Sequence, residues 1–595
     1  MSRIDRCFAK VFSVFRACQI VCILVMSILV FAQVALRELF GIGVQWVYEF
    51  SCFMQVTMVW LGVPILLYKD SNIQITALYN VCPRPVKRAL DLLRYGIYLC
   101  CAGFMAYGYV LYVENLGIMK SSVLRMPNYV FFGSMAFGIS MTVLVMLMKA
   151  RKLLKMEKNA GNGPGGGVRM GGMTVLILFF ALIFLGVPVA YTMVFSAGLY
   201  FITNDMSLMV LIQKMGGSLN SITMLAVPTF IFAGCLMNNG GLSDALFKSV
   251  LTTRIGKIKG GLAHINVVCS LIFAGMSGAA LADLGGLGQV EMKAMRENGY
   301  DDDDSIAVTL ASSAIGPIFP PSIPMLMYAL VASVSGVKIL LAGIVPGILL
   351  MLMLMAFVAY LAKKKNFPYG NIHISRKEKV KLQLHGVPAL LAPVILLAGL
   401  LSGTYSPTEL ACVAVVYSVL VGCFFYKGLS LKKLIASASE TSETMSNTLF
   451  ILCGASAFAF VLTMEQVPQT MQALITSVTT NKVLLILMVN FILLIVGMVM
   501  DTGISIIIFT PIFLPIMKAV GMDPLQLGVM ICLNLVIGLY TPPFGTCLFM
   551  ASTMTQKPFE RIVKAITPYY IPLLAVLLLV AFIPPLTTWL PNLFF

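Results

Sequence analysis

Two apolar segments of this chain are each interrupted by a proline pair, Pro320-Pro321 and Pro542-Pro543. A proline has no N–H, and its ring clashes with the carbonyl four residues earlier, so a pair frees several carbonyls at one level of a helix. Each pair follows a small-residue segment carrying one Asp. The first runs from Gly275 through Ser277 and Gly278 to Asp283, and the second from Gly497 through Asp501 and Thr502 to Gly503. The spacing is nearly conserved: Pro320 lies 43 residues after Ser277, and Pro542 lies 41 after Asp501. Irregular backbone at membrane depth is tolerated only where it is buried in protein or lines a wet cavity. A pair of such breaks in corresponding halves points to the binding site of a secondary transporter.

Composition supports a membrane setting. Of 595 residues, 59% are hydrophobic and 11% charged, against about 25% charged in soluble domains. Apolar runs long enough to cross a bilayer recur throughout, so the expected class is an all-α polytopic membrane protein. The net charge of +17 does not indicate nucleic acid, because the cations cluster in short loops beside apolar spans. The 14 cysteines and three histidines form no CxxC or Cys/His cluster, which excludes zinc chemistry and a disulfide framework. No P-loop or Rossmann fingerprint appears. No His/Glu or Ser/Lys/His constellation appears at membrane depth, so the chain does not read as an enzyme. A channel, repeating around a pore, would not need two such hairpins.

Three segments follow. Residues 1–150 hold four spans, near 11–36, 46–68, 90–113 and 129–149, and the first is too long for a signal peptide. Lysines and arginines before the first span, between the second and third, and after the fourth place both ends of this unit in the cytoplasm. Residues 151–172 form a Gly-rich basic linker without a span. Residues 173–595 form a duplicated unit, with halves of about 173–365 and 384–595. An amphipathic basic helix is expected at Leu242–Gly260, with a counterpart at Leu429–Glu443. Two re-entrant hairpins, about 275–297 and 498–520, each precede a discontinuous helix broken at 316–322 and 538–545. Hairpin tips meeting such breaks from opposite sides are the geometry of an elevator-type transporter with inverted repeats, and the four-helix N-terminal unit serves as added scaffold.

Carbonyls freed at half-helix ends coordinate Na⁺, with hairpin hydroxyls completing the shell. The expected ligands are Ser277 with the backbone of Gly316 and Pro320, and Thr502 with Gly538 and Thr541. The half-helix N-termini after the breaks favour an anion, so an organic carboxylate is the expected substrate. Ser322 donates there from N–H and hydroxyl. Asp501, at a hairpin tip, is expected to face substrate hydroxyls or a cation. Asp283, further along its hairpin, is read first as a helix cap or structural partner and only second as a functional group. Glu409, in Ser406-Pro407-Thr408-Glu409, reads as a helix start, and Asp301–Asp304 as a solvated turn.

These residues carry a resemblance. Gly275–Ser322, Ala226-Val227-Pro228-Thr229-Phe230, Tyr405–Glu409 and Tyr540–Pro543 resemble the large membrane subunit of TRAP (tripartite ATP-independent periplasmic) transporters. Residues 1–150, with Trp46, Glu49, Trp60 and Gly62, are similar to the small subunit. The resemblance implies a Na⁺-coupled elevator importing organic acids across the bacterial inner membrane, with a separate periplasmic substrate-binding protein. It places Ser277, Ser322 and Asp501 near substrate. Sialic acid-like sugar acids and C4-dicarboxylates are the implied substrates, and a monomer is the expected fused form. Ala279 departs from the pattern, standing where a second serine is common. The alternative reading is a stand-alone Na⁺-coupled dicarboxylate elevator without a binding protein.

Overall fold

The computed structural model describes residues 3–74, 82–154, 171–369, 375–478, 481–543 and 545–595. Of the expected Gly-rich linker 151–172, residues 155–170 lie outside the described residues, and 151–154 continue the helix Gly133–Leu154. Among them the chain is helical, with two isolated β-bridges and no strand, and eleven helices are long and apolar enough to cross a membrane. The chain divides into two compact units, residues 1–225 with 438–473, and residues 226–437 with 474–595.

In the first unit the four expected spans appear as Arg3–Phe40, Trp46–Lys69, Arg84–Leu116 and Gly133–Leu154. Trp60 is fully buried and meets Phe450 edge-on at 5.9 Å. Gly62 lies so close to Ser446 that a methyl group would collide with its hydroxyl. Gln19 donates to both Met58 O and Ser446 Oγ at 2.8 Å, closing this small-residue contact with hydrogen bonds. Glu49 accepts from the Val123 and Leu124 amides at 3.0 and 2.6 Å, fixing the loop before the fourth span. Glu465 accepts from the Tyr200 hydroxyl at 2.6 Å and the Gly172 amide at 3.0 Å. These two donors hold its carboxyl below the usual glutamate range.

The second unit carries the breaks. The first hairpin rises through Gly261–Ser277 and returns through Ala280–Gly285 and Leu287–Glu297. Its discontinuous helix is Asp302–Ser313, resuming at Ile323–Ala332. The second hairpin is Lys482–Val499 and Thr502–Ala519, followed by Pro524–Gly538 and Thr546–Thr555. The hairpins therefore begin earlier than 275 and 498. Those positions mark only the last turn of each ascending arm, which starts at Gly261 in the first hairpin and behind the Asn481 cap in the second.

Three other expectations change. Helix Leu242–Leu251 stops well before Gly260, because the Thr252 and Thr253 hydroxyls bond back to the Ser249 and Val250 carbonyls at 2.7 Å. A 3₁₀ turn, Arg254–Lys257, follows. The counterpart near Leu429–Glu443 is not a separate helix but the start of a 34-residue one, Leu431–Met464, since no Gly or Pro intervenes before Gly454. Asp301–Asp304 is not a solvated turn. Asp301 precedes a helix in which Asp302 pairs with Arg296 and Lys557, Asp303 with Arg561, and Asp304 with Lys365, at 2.6–2.8 Å. Glu409 does start a helix: Ser406 and Glu409 form a reciprocal capping box, as the Ser-x-x-Glu spacing dictates.

Candidate functional site

The first hairpin turns on two residues. Ser277 ends the ascending arm, Gly278 adopts φ +64°, and Ala279 is extended before the returning arm starts. Gly278 lies against the Pro321 carbonyl so closely that an added Cβ would overlap it, and that Cβ would stand 3.6 Å from Ile323 N. Glycine is thus required both for the left-handed conformation and for the close approach. Beside it, a Cβ on Gly316 would stand 3.4 Å from the Ala279 carbonyl group. The tip of the first hairpin therefore sits on the first proline break, and the Ala279 departure leaves backbone at that contact.

The second hairpin turns at Met500 and Asp501. Asp501 occupies the N-cap of Thr502–Ala519 and accepts from the Gly503 amide at 2.9 Å. Gly497, one turn below the tip, packs backbone to backbone on Gly538. Each returning arm also reaches the outer half-helix of the other repeat. A Cβ on Gly503 would stand 3.1 Å from Met327 Sδ, and one on Gly285 would stand 2.6 Å from Met550 Cε. The hairpins and broken helices thus interlock crosswise.

The predicted residues lie at the two hairpin tips and the two breaks. Ser277 and Thr502 are buried, and neither hydroxyl has a hydrogen-bond partner among the described residues. A buried hydroxyl left unpaired costs about 1–3 kcal/mol, and each tip carries one. The Gly316 and Pro320 carbonyls accept no hydrogen bond from the described residues. The Gly538 carbonyl, by contrast, already accepts from the Thr541 amide at 3.0 Å, and the Thr541 hydroxyl donates to Ile537 O at 2.8 Å. The first break therefore offers more vacant oxygen than the second. Ser322 caps Ile323–Ala332: its Oγ accepts from the Met325 amide at 3.3 Å and donates to Pro317 O. Its hydroxyl is engaged within the break, which leaves the half-helix N-terminus as the feature favouring an anion. Both Pro-Pro peptide bonds are cis.

The cap expected as one role for Asp283 falls to Asp501. Asp501 is the helix cap. Asp283 caps nothing, and both its carboxylate oxygens lack hydrogen-bond partners among the described residues. Three polar contacts escape sequence reading. The Ser313 hydroxyl meets the Tyr540 hydroxyl at 2.9 Å, with both residues fully buried, tying one broken helix to the other. Asn266 accepts from Ser312 Oγ at 2.7 Å, and Asn490 accepts from Asn534 Nδ2 at 2.8 Å. Each bond ties a hairpin's ascending arm to the inner half of its own broken helix. Asn266 and Asn490 are 224 residues apart, the same separation as Ser277 and Asp501. That repeat spacing is the signal by which they could have been found.

Residues 176–586 match the family described as the tripartite ATP-independent periplasmic transporter, DctM component, and residues 26–156 match the DctQ component of the same transporters. The chain belongs to the tripartite ATP-independent periplasmic transporters. It is 37% identical to the sialic acid TRAP transporter large permease protein SiaM of Vibrio cholerae, covering 70% of this chain and 97% of that one. It is 30% identical to the sialic acid TRAP transporter permease protein SiaT of Haemophilus influenzae, covering 94% and 96%. It is also 30% identical to the isethionate TRAP transporter permease protein DctMQ of Oleidesulfovibrio alaskensis, covering 91% and 87%. This TRAP permease is thus a multi-pass protein of the bacterial inner membrane that carries both membrane components in one polypeptide, and its relatives are transporters rather than enzymes.

Proposed function

We propose that this TRAP permease imports an organic acid, of the sialic acid or C4-dicarboxylate class, by Na⁺-coupled elevator transport with a periplasmic substrate-binding protein. The observation that carries the reading is the pair of buried, unpartnered hydroxyls of Ser277 and Thr502 at the two hairpin tips. Na⁺ is a hard cation that wants oxygen ligands, and half-helix ends supply them in transporters. In this reading Ser277 with the Gly316 and Pro320 carbonyls holds one ion. Thr502 with the Gly538 and Thr541 backbone holds another. The Ile323–Ala332 N-terminus behind Ser322 takes a carboxylate, and Asp501 faces the substrate. The elevator reading is supported by the interlock, which lets hairpins and broken helices move as one body. The fused four-helix unit would enlarge the fixed scaffold, allowing a monomer to work.

Substrate class is supported by chemistry and by relatives. The named substrates of the relatives above, sialic acid and isethionate, are organic anions, as is the C4-dicarboxylate of a Pseudomonas aeruginosa large permease at 35% identity. The test is uptake into liposomes holding the purified chain, with an inward Na⁺ gradient, a panel of labelled organic acids and candidate binding proteins. Uptake that needs both Na⁺ and one binding protein supports the reading. Uptake that ignores every binding protein would favour the stand-alone elevator.

A further inference from the structure

The boundary between the two repeats carries cations without acidic partners. Helix Ile344–Lys364 closes on Lys363 and Lys364, and helix Arg376–Ser402 opens on Arg376, Lys377, Lys379 and Lys381, with Glu378 the one acid among them. All six cations are exposed or half-exposed, and none makes an ion pair among the described residues. Lys365, by contrast, pairs with Asp304 at 2.6 Å. Ser375 caps the second helix, its Oγ accepting from the Glu378 amide at 3.2 Å. That bond satisfies one N–H but offsets no charge. A helix N-terminus is the positive end of the backbone dipole and favours acids, so the four cations of its first two turns stand where the helix itself disfavours them.

Helix length sets the depth of these charges. Arg376–Ser402 has 27 residues, or about 40 Å at 1.5 Å per residue, against a hydrocarbon core of about 30 Å. Its polar end extends about 10 Å past the core, which puts Arg376–Leu382 at the level of lipid headgroups. Val380 and Leu384 are exposed among the cations. A segment of the first repeat extends the same edge. Lys259 bridges antiparallel to Tyr369, the Gly260 amide donates to Pro368 O at 3.1 Å, and Lys259 Nζ donates to Asn366 Oδ1 at 2.7 Å. These bonds bring exposed Lys257 and Ile258 beside exposed Tyr369. Gly386 packs on Ser249 so closely that an added Cβ would collide, which seats the basic helix against the one leading into that segment. The excess of cations marks the edge as cytoplasmic. Cations interleaved with exposed aliphatic and aromatic side chains suit the boundary between headgroups and acyl chains.

We propose that this basic edge binds the headgroups of acidic phospholipids in the cytoplasmic leaflet. Phosphate oxygens accept from the Arg376 guanidinium and from the ammonium groups of Lys377, Lys379 and Lys381. Val380 and Leu384 lie against the lipid beneath the headgroups. The lipid anion supplies the negative charge that the start of the helix lacks, so binding also stabilises that helix.

The test is competition between fluorescent phosphatidylglycerol and phosphatidylcholine of the same acyl chains for the full chain purified in neutral detergent. The wild type is expected to prefer the acidic lipid. Each cation near an anionic surface is worth about fivefold, so Arg376→Gln/Lys377→Gln/Lys379→Gln/Lys381→Gln should cut that preference by more than about tenfold. Attraction by the net charge of +17 alone would barely register the loss of four among 41 basic residues. Without lipid the variant should melt no lower than the wild type, since it loses cations from a helix start; acidic lipid should raise the melting temperature of the wild type more than that of the variant. If the quadruple variant does not fold, Lys379→Gln/Lys381→Gln carries the test with a loss of about tenfold or more. A wild type without preference for the acidic lipid, or a variant that keeps the wild-type preference, would leave this edge to solvent or to a soluble acidic partner and overturn the proposal.

Discussion

The hydroxyls of Ser313 and Tyr540 meet at 2.9 Å in a fully buried setting, linking the last turn before one proline break to a residue two before the other proline pair. Ser313 also donates to Leu310 O at 2.9 Å, so Tyr540 is the donor in the bridge. The two repeats are thereby joined at the level where both helices lose their regular hydrogen bonds.

Removing the bridge should loosen the unit without emptying it. Tyr540→Phe keeps the ring and leaves the Ser313 hydroxyl with its carbonyl partner, so the expected loss is about 1 kcal/mol. Thermal unfolding of the purified chain reads it. In a double-mutant cycle with Ser313→Ala, the two losses should be clearly less than additive, as for residues in one contact. Additive losses would mean the two hydroxyls do not interact.

Gly278 and Gly299 separate conformational strain from close approach. Both have positive φ, +64° and +84°, but a Cβ on Gly299 meets nothing within 4 Å, whereas one on Gly278 overlaps the Pro321 carbonyl. Gly299→Ala should cost only the left-handed penalty of about 1–2 kcal/mol and retain uptake. Gly278→Ala must also push the hairpin tip off the break, and uptake should fall by more than about tenfold, a change of 1.4 kcal/mol or more. Equal effects of the two variants would show that the tip does not need to touch the break.

Ser277 and Thr502 make a sharper prediction, because their hydroxyls are unpartnered. Replacing an unsatisfied buried hydroxyl by an apolar group is near neutral or stabilising. Ser277→Ala and Thr502→Val should therefore be as stable as wild type, or more so, in Na⁺-free buffer. Na⁺ should raise the wild-type melting temperature by binding the folded state, and each variant should lose most of that rise. A variant that melts lower without Na⁺ yet responds normally to it would assign the hydroxyl to packing.

Asp302 gives a pH prediction with a definite sign. The hydrogen bond from Lys557 and the nearby Arg296 and Arg561 hold its carboxyl below the usual aspartate range. A carboxyl depressed in the folded state contributes stability that is present above its unfolded value of about 3.9 and is lost as pH falls through the lower folded value. The group is half-buried, with its side chain still 32% exposed, so solvent screens the pairs and the contribution is small. Melting of the wild type and Asp302→Asn should differ most near neutral pH and converge below about pH 3. A constant difference down to that pH would show that the ion pairs carry no charge-dependent stability.

Much of this arrangement could be read from local chemistry. Proline pairs and the small residues at the tips announce themselves, because each imposes a backbone condition that few residues meet. Asp501 could have been read as an N-cap, since it directly precedes the first helical residue and Asp is favoured there. Asp283, three residues into a short helix, could not cap it. What the sequence could not disclose are contacts between distant segments. Ser313 and Tyr540 are 227 residues apart, and Arg561 reaches Asp303 across 258. A run of four aspartates looks like a solvated turn until the cations arriving from elsewhere are known. The early end of Leu242–Leu251 depends on two threonine hydroxyls bonding back to the chain, which competes with helix only weakly and is hard to anticipate.

The central claim is that the hairpin tips over the two breaks couple Na⁺ to an organic acid. Its most direct test is to follow labelled Na⁺ and labelled substrate together in liposomes containing this permease and its binding protein. The account predicts that Na⁺ enters only when substrate and binding protein are both present, in fixed proportion to the acid, and that Thr502→Val and Ser277→Ala each reduce both fluxes. Substrate entry without accompanying Na⁺ would contradict it.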